Sequence, residues 1–299
     1  MALKLSEYLY ATVAYADIFD YPLTGDELYY RCLKRIPGKN LRSKLIPGVV
    51  KIRNVYYLKG RQPIQNTYKK RRESSNKKWE IARYIGKKLQ IIPTIFMDGV
   101  TGGLAVNNAS EKDDIDFYIV TARGTVWITR FIVVCLIFLY GKRRKPEDTR
   151  VADTICLNMF VSVDSMGLPV QEQDVFGAHE VIQMVPLWSR RDTYRRFLQS
   201  NAWIKVYLPV AWSVKKTGRN QHLKISYWWT RVARKVLMVF EMPAKYFQLW
   251  YMHTRRTREI VTDDVLRFHP KDARIWITKA LDKRLRLRNI PLDKIFSAS

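Results

Sequence analysis

Cysteine is scarce in this 299-residue chain, and its distribution excludes two common frameworks. Cys32, Cys135 and Cys156 are odd in number, far apart and set in apolar runs, so they form no disulfide lattice of the secreted type. They are expected to be reduced, buried thiols in a cytoplasmic protein. The four histidines are scattered, and no Cys/His spacing suits zinc. Long apolar runs are missing too. The longest, Phe131 to Tyr140, is ten residues, against the ~20 that span a bilayer. It is expected to belong to a buried helix starting near Thr125. Met1-Ala2-Leu3-Lys4 opens into a mixed amphipathic pattern and not into a leader.

Acidic residues are also few: 27 Asp and Glu face 53 Lys and Arg, a net charge of +26. Such a field attracts polyanions, whether nucleic acid, anionic lipid or nucleotide. The excess is uneven. Residues 190–299 hold 25 basic against 8 acidic residues, and residues 66–88 hold 9 against 2. Between them, residues 98–121 carry Lys112 as their single cation among several acids. With 47% hydrophobic residues the chain is not of disordered composition, and its length allows two modest domains with a buried core.

The acidic stretch contains the pattern that matters most. Thr101-Gly102-Gly103 is followed after ten residues by Asp114-Ile115-Asp116-Phe117. The run from Ile115 to Val120 reads as a largely buried strand, so Asp114 and Asp116, two residues apart, point to one face. Paired carboxylates suit Mg²⁺, which is usually held by one or two carboxylates plus substrate phosphates. Gly102 and Gly103 let the backbone turn sharply and approach a ligand closely. Alone, the glycines read as an ordinary turn and the aspartates as a solvated strand end. Together, at this spacing, they point to a phosphate-and-metal site.

That combination resembles the nucleotidyltransferase superfamily that includes DNA polymerase β, and most of all its minimal bacterial nucleotidyltransferase-domain members. The resemblance is firm over residues 95–121 and weaker to about 165. It implies that Thr101, Gly102 and Gly103 contact the nucleotide, and that Asp114 and Asp116 bind Mg²⁺ or Mn²⁺ and carry catalysis. The family usually adds a third carboxylate from a neighbouring strand. The candidate strand, Ile155 to Val161, contains no acid. Asn158 stands where that acid would lie, with Asp153 before the strand and Asp164 after it as substitutes.

The fold class expected is α+β, in four parts. Residues 1–62 form a winged-helix-like unit: a helical face from Leu5, Leu9, Val13 and Ala16, a second helix capped by Thr24 and Glu27, and strands Val49–Ile52 and Val55–Leu58 around Arg53-Asn54. Residues 63–90 form a basic linking helix. Residues 91–168 form a small mixed-sheet core, and residues 169–299 a helical, basic C-terminal region. There His179-Glu180 is a candidate acid–base pair, and Pro243 is expected to break or kink a helical stretch. The aromatics and cations between Tyr227 and Met252 read as core, as a nucleic-acid surface or as a lipid-interface segment. The basic tail, Lys279 to Lys294, is expected to be exposed.

The reading is therefore a Mg²⁺-dependent nucleotidyltransferase, moving a nucleoside monophosphate from an NTP to an acceptor with release of pyrophosphate. RNA is the favoured acceptor, on charge. The alternative is a non-catalytic nucleic-acid-binding or regulatory protein with a degenerate core, binding RNA or DNA. Peripheral membrane contact is a third possibility.

Overall fold

The computed structural model describes residues 3–36, 45–141, 152–217, 228–253, 259–268 and 273–296. The chain is a mixed α+β protein. It begins with helix α1 (Leu5–Asp17), strand β1 (Leu23–Thr24) and helix α2 (Gly25–Tyr30). The Thr24 hydroxyl accepts from the Glu27 N–H at 3.2 Å while Glu27 Oε2 accepts from the Thr24 N–H at 2.9 Å, the reciprocal cap expected from the sequence. Strands β2 (Val49–Ile52) and β3 (Val55–Leu58) form the expected hairpin, with Arg53 in the turn at φ 55°. They join β1 in an antiparallel sheet of order β1-β3-β2. Residues 37–44, in the middle of the segment between α2 and β2 where a recognition helix would fall, lie outside the described residues.

Helix α3 (Ile64–Leu89) turns its sparse apolar stripe inward, burying Trp79, Ala82, Ile85 and Leu89. Then come β4 (Ile95–Val100), the one-turn α4 (Gly102–Ala105), β5 (Ile115–Thr121), α5 (Val126–Leu139) and β6 (Ile155–Ser162). β4 runs antiparallel to β5, whereas α5 carries the chain over to β6 parallel to β5, the mixed sheet expected for this region.

The C-terminal region is helical as expected, but not helical alone. It does hold α6 (Val175–Gln183), then, after β7 (Val185–Ser189), α7 (Thr193–Ser200), α8 (Ile204–Tyr207), α9 (Pro209–Thr217), α10 (Trp228–Val239) and α11 (Glu241–Met252). After β8 (Ile260–Val261) and β9 (Val265–Arg267) it closes with α12 (Ala273–Arg286) and α13 (Leu292–Phe296). Its three strands complete a six-stranded sheet of order β7-β4-β5-β6-β9-β8. β7 contains Pro186 and β9 is three residues long, so neither shows a period-two pattern. The basic tail is not free either. Leu281 and Leu285 of α12 and Ile295 of α13 are buried, and Arg284 Nε donates to the Asp17 carboxylate of α1 at 2.8 Å.

The large sheet has two covered faces. Ile115, Phe117 and Ile119 of β5 join Trp79, Ile85 and Leu89 of α3 and Trp127, Val133 and Ile137 of α5. Tyr118 and Val120 point the other way, into a cluster shared with α1, α6, α7 and α12. The N-terminal unit, expected to stand apart, thus shares one hydrophobic cluster with the sheet.

Candidate metal and nucleotide site

Asp114 lies just before β5 and Asp116 is its second residue, so strand alternation brings both to one face. In the parallel register Cys156 of β6 stands opposite Asp116. One ligand atom from each of Asp114, Asp116 and Cys156 lies within 4.8 Å of the others, with the acids half-buried and the thiol buried. The two carboxylates fit a hard divalent cation such as Mg²⁺ or Mn²⁺, which takes oxygen ligands. The thiol is a soft donor and adds little to such an ion.

The glycine pair closes on the same point. Gly102 has φ +64°, a conformation glycine adopts without strain. A Cβ at Gly102 would fall 2.7 Å from Asp116 Oδ2, so only a bare backbone fits against that carboxylate. At Gly103 an added Cβ would meet Ala109 Cα at 3.5 Å, an ordinary contact. Thr101 joins the site through its backbone, its N–H donating to the Asp116 carbonyl at 3.0 Å.

After α4, residues 106–113 form a loop clamped by α3. Ser75 Oγ accepts from the Ala109 N–H at 3.0 Å, and Trp79 Nε1 donates to Asn107 Oδ1 at 2.7 Å. Lys78, fully buried, donates to the Asp113 carbonyl at 2.7 Å, to the Glu111 carbonyl at 3.3 Å and to Asp153 Oδ1 at 2.7 Å. The residue of the basic helix that matters here thus fixes the loop immediately before Asp114.

This arrangement places the candidate third residues. Asp153, at φ 59°, directs its carboxylate to Lys78 and is not part of the Asp114–Asp116–Cys156 cluster. Asp164 lies beyond the opposite end of β6, 3.7 Å from Arg123. Asn158 sits in the β6 irregularity, where the pairing steps from Asp116–Cys156 to Tyr118–Met159, so the position facing Asp116 is two residues earlier. Sequence reasoning missed Cys156 and Lys78. An apolar run around a cysteine and a lysine inside a charge run each look generic until register and burial are known.

His179 and Glu180 lie on α6, which packs against α4. The His179 ring stacks on Tyr15 with centroids 3.9 Å apart, and its Nδ1 meets the Val175 carbonyl at 2.8 Å. Burial pushes its pKa down to about 3, so the ring is a neutral packing element. Desolvation pushes the Glu180 carboxyl up to about 7. On the α3 side of the sheet, Asp98 of β4 is fully buried with neither oxygen hydrogen-bonded among the described residues, and burial raises its pKa well above the carboxylate range. Arginines gather at the end of β4 remote from Gly102, where Arg191 and Arg234 lie 5.1 and 5.3 Å from the Phe96 ring centroid.

Comparison with protein-family models, with curated proteins and with solved structures gave no match, so the interpretation of this site rests on its geometry.

Proposed function

We propose that the chain is a divalent-metal-dependent nucleotidyltransferase, built on a nucleotidyltransferase-type core with an N-terminal winged-helix-like unit. One observation carries the reading: the bare backbone of Gly102 lies against Asp116, which shares a strand end with Asp114. A bare glycine backbone closing on paired carboxylates brings a tight turn, of the kind that lies along a phosphate, directly beside a candidate metal ligand. The mixed β4–β5–β6 sheet supports the same reading.

Asp114 and Asp116 would hold Mg²⁺ or Mn²⁺, and the backbone of Thr101, Gly102 and Gly103 would lie along the triphosphate. When bound, the ion neutralises phosphate charge and aligns the reacting groups. An acceptor oxygen then bonds the α-phosphorus, the bond to the bridging oxygen breaks, and pyrophosphate leaves. The acceptor proton needs a destination. Among the described residues no third carboxylate joins the cluster, and Cys156 holds that corner, so the proton would pass to water or to the departing phosphate. The net charge of +26 favours RNA as the acceptor class.

The thiol at the third corner also favours a second reading, nucleotide binding without turnover by a nucleic-acid-binding protein. The two separate in one assay. Wild type and Asp114→Asn/Asp116→Asn are incubated with Mn²⁺, α-labelled NTPs and cell extract. Label entering RNA, protein or a small molecule only with wild type supports transfer and reveals the acceptor class. Equal labelling by two folded proteins would leave the binding reading in its place.

A further inference from the structure

The surface formed by α5, α10 and α11 is unlike the rest of the molecule. On α11, Met242, Pro243, Tyr246, Phe247, Trp250 and Tyr251 recur at helical spacing and are exposed, Trp250 by 74%. That stripe contains no charge, because Glu241 turns inward, accepting from the Trp127 and Ile128 N–H groups at the start of α5. Pro243 sits in the first turn of α11, where no helical N–H is required, and the chain bends before it, at Phe240. α5 continues the surface. Phe131, Cys135, Phe138 and Leu139 face outward, Leu139 being 83% exposed. The Phe131 and Phe247 rings, 5.9 Å apart, join the two helices without a polar break. The α11 aromatics are therefore not core, which corrects that sequence reading for them, while Tyr227 and the side chains of Trp228 and Trp229 lie outside the described residues.

A cationic edge borders this face. On α10, Arg231 and Lys235 lie one turn apart beside the exposed Val232, Val236 and Val239. Arg191 and Arg234 stand over Phe96 below them.

We infer that this face docks on an anionic lipid bilayer, α5 and α11 lying in the interface with Phe131, Leu139, Phe247 and Trp250 in the acyl boundary and the α10 cations on the headgroups. Its chemistry is that of interfacial helices: one apolar aromatic face, one basic edge, with tryptophan and tyrosine where apolar body and polar tip are both satisfied. No helix among the described residues is long and apolar enough to cross a membrane, so the mode is lying on the surface. Nucleic acid fits less well, since the α5 face is aliphatic and aromatic with no cation among its outward residues, whereas strand-binding grooves intersperse cations with stacking rings. The carboxylates Asp114 and Asp116 lie on the other face of the sheet, by alternation with Phe117.

The test uses the full chain, without nucleotide or metal. Flotation with phosphatidylglycerol-containing vesicles is compared with flotation on phosphatidylcholine alone, for wild type, Phe247→Glu/Trp250→Glu and Arg231→Glu/Lys235→Glu. All four positions are exposed, so the substitutions spare the core. Wild type is expected to float with anionic vesicles at low salt, and each variant to lose about tenfold or more in partitioning. Cys135, the exposed one of the three cysteines, takes an environment-sensitive fluorophore whose emission is expected to shift blue on vesicle addition. Absence of flotation on any vesicle overturns the inference, as does flotation that both variants retain. Sedimentation and binding to an RNA oligomer assign the face elsewhere: a dimer or an RNA affinity that Phe247→Glu/Trp250→Glu abolishes, in a protein that does not float, overturns it equally.

Discussion

Gly102 and Asp116 meet so closely that a single methyl group has no place between them: a Cβ on the glycine would stand 2.7 Å from the carboxylate oxygen. Gly102→Ala therefore has to move Asp116 or the turn, at a backbone φ of +64° that alanine resists. We expect Gly102→Ala to weaken Mn²⁺ binding, followed by calorimetry, by about tenfold or more. Gly103→Ala, whose Cβ makes only ordinary contact, is expected to bind Mn²⁺ within about threefold of wild type. Equal losses in both would show that the pair acts as a flexible turn and not as a fitted surface.

Lys78 is a positioning residue. In Lys78→Met the stem keeps its packing while the hold on the Asp113 and Glu111 carbonyls is lost, and Asp153, half exposed, rehydrates. A modest fall in melting temperature is expected, with faster amide exchange confined to residues 109–114 and Mn²⁺ affinity down by roughly tenfold. Unchanged exchange in that loop would refute the role, whatever the stability.

Cys156 occupies the corner opposite Asp116. If transfer is slow for want of a proton acceptor, Cys156→Asp is expected to raise turnover by about tenfold or more at neutral pH, with Cys156→Ser near wild type. A Cys156→Asp protein that binds metal more tightly yet transfers no faster would favour the binding-only reading.

Asp98 makes stability depend on pH. Its oxygens are buried without partners among the described residues, and burial raises its pKa. Unfolded, it titrates near the usual ~3.9. Between those values the folded state keeps a proton that the unfolded state releases, so stability is greatest below the unfolded pKa and falls as pH rises. The slope is at most ~1.4 kcal/mol per pH unit for one group. Glu180, pushed up to about 7, adds a fall of the same sign that ends near that pH. Denaturant melts at about pH 5 and about pH 8 are expected to show wild type losing stability across the interval, with Asp98→Asn losing less and exceeding wild type at the higher pH by more than ~1 kcal/mol. Parallel slopes would mean that Asp98 ionises at its ordinary pKa.

Much of this was legible from local chemistry. The Thr24–Glu27 cap, the hairpin turning at Arg53, and the strand bearing Asp114 and Asp116 each declare themselves within a few residues. What escaped depends on partners distant in sequence. The facing of Cys156 and Asp116 is set by a parallel register with an irregularity in β6, and nothing near Cys156 encodes it. Lys78 joins a solvated charge run until the Asp113 and Glu111 carbonyls arrive from more than thirty residues away. The aromatics of α11 carry an apolar pattern that serves a core or an interface equally well, and only exposure separates the two.

The strands that border the central three, β4, β5 and β6, come late in the chain. β4 is covered by β7, and β6 by β9, whose last residue is Arg267. A chain cut after residue 168 would keep every residue of the glycine–aspartate motif and still present two raw strand edges, a template for aggregation. The same holds during synthesis. On a ribosome the Asp114–Asp116 strand is finished at Thr121, long before its sheet can close at Arg267, and the nascent chain must wait with open edges for the whole stretch between, as sheets of high contact order do. The smallest piece that carries the motif is thus far shorter than the smallest piece that can fold around it.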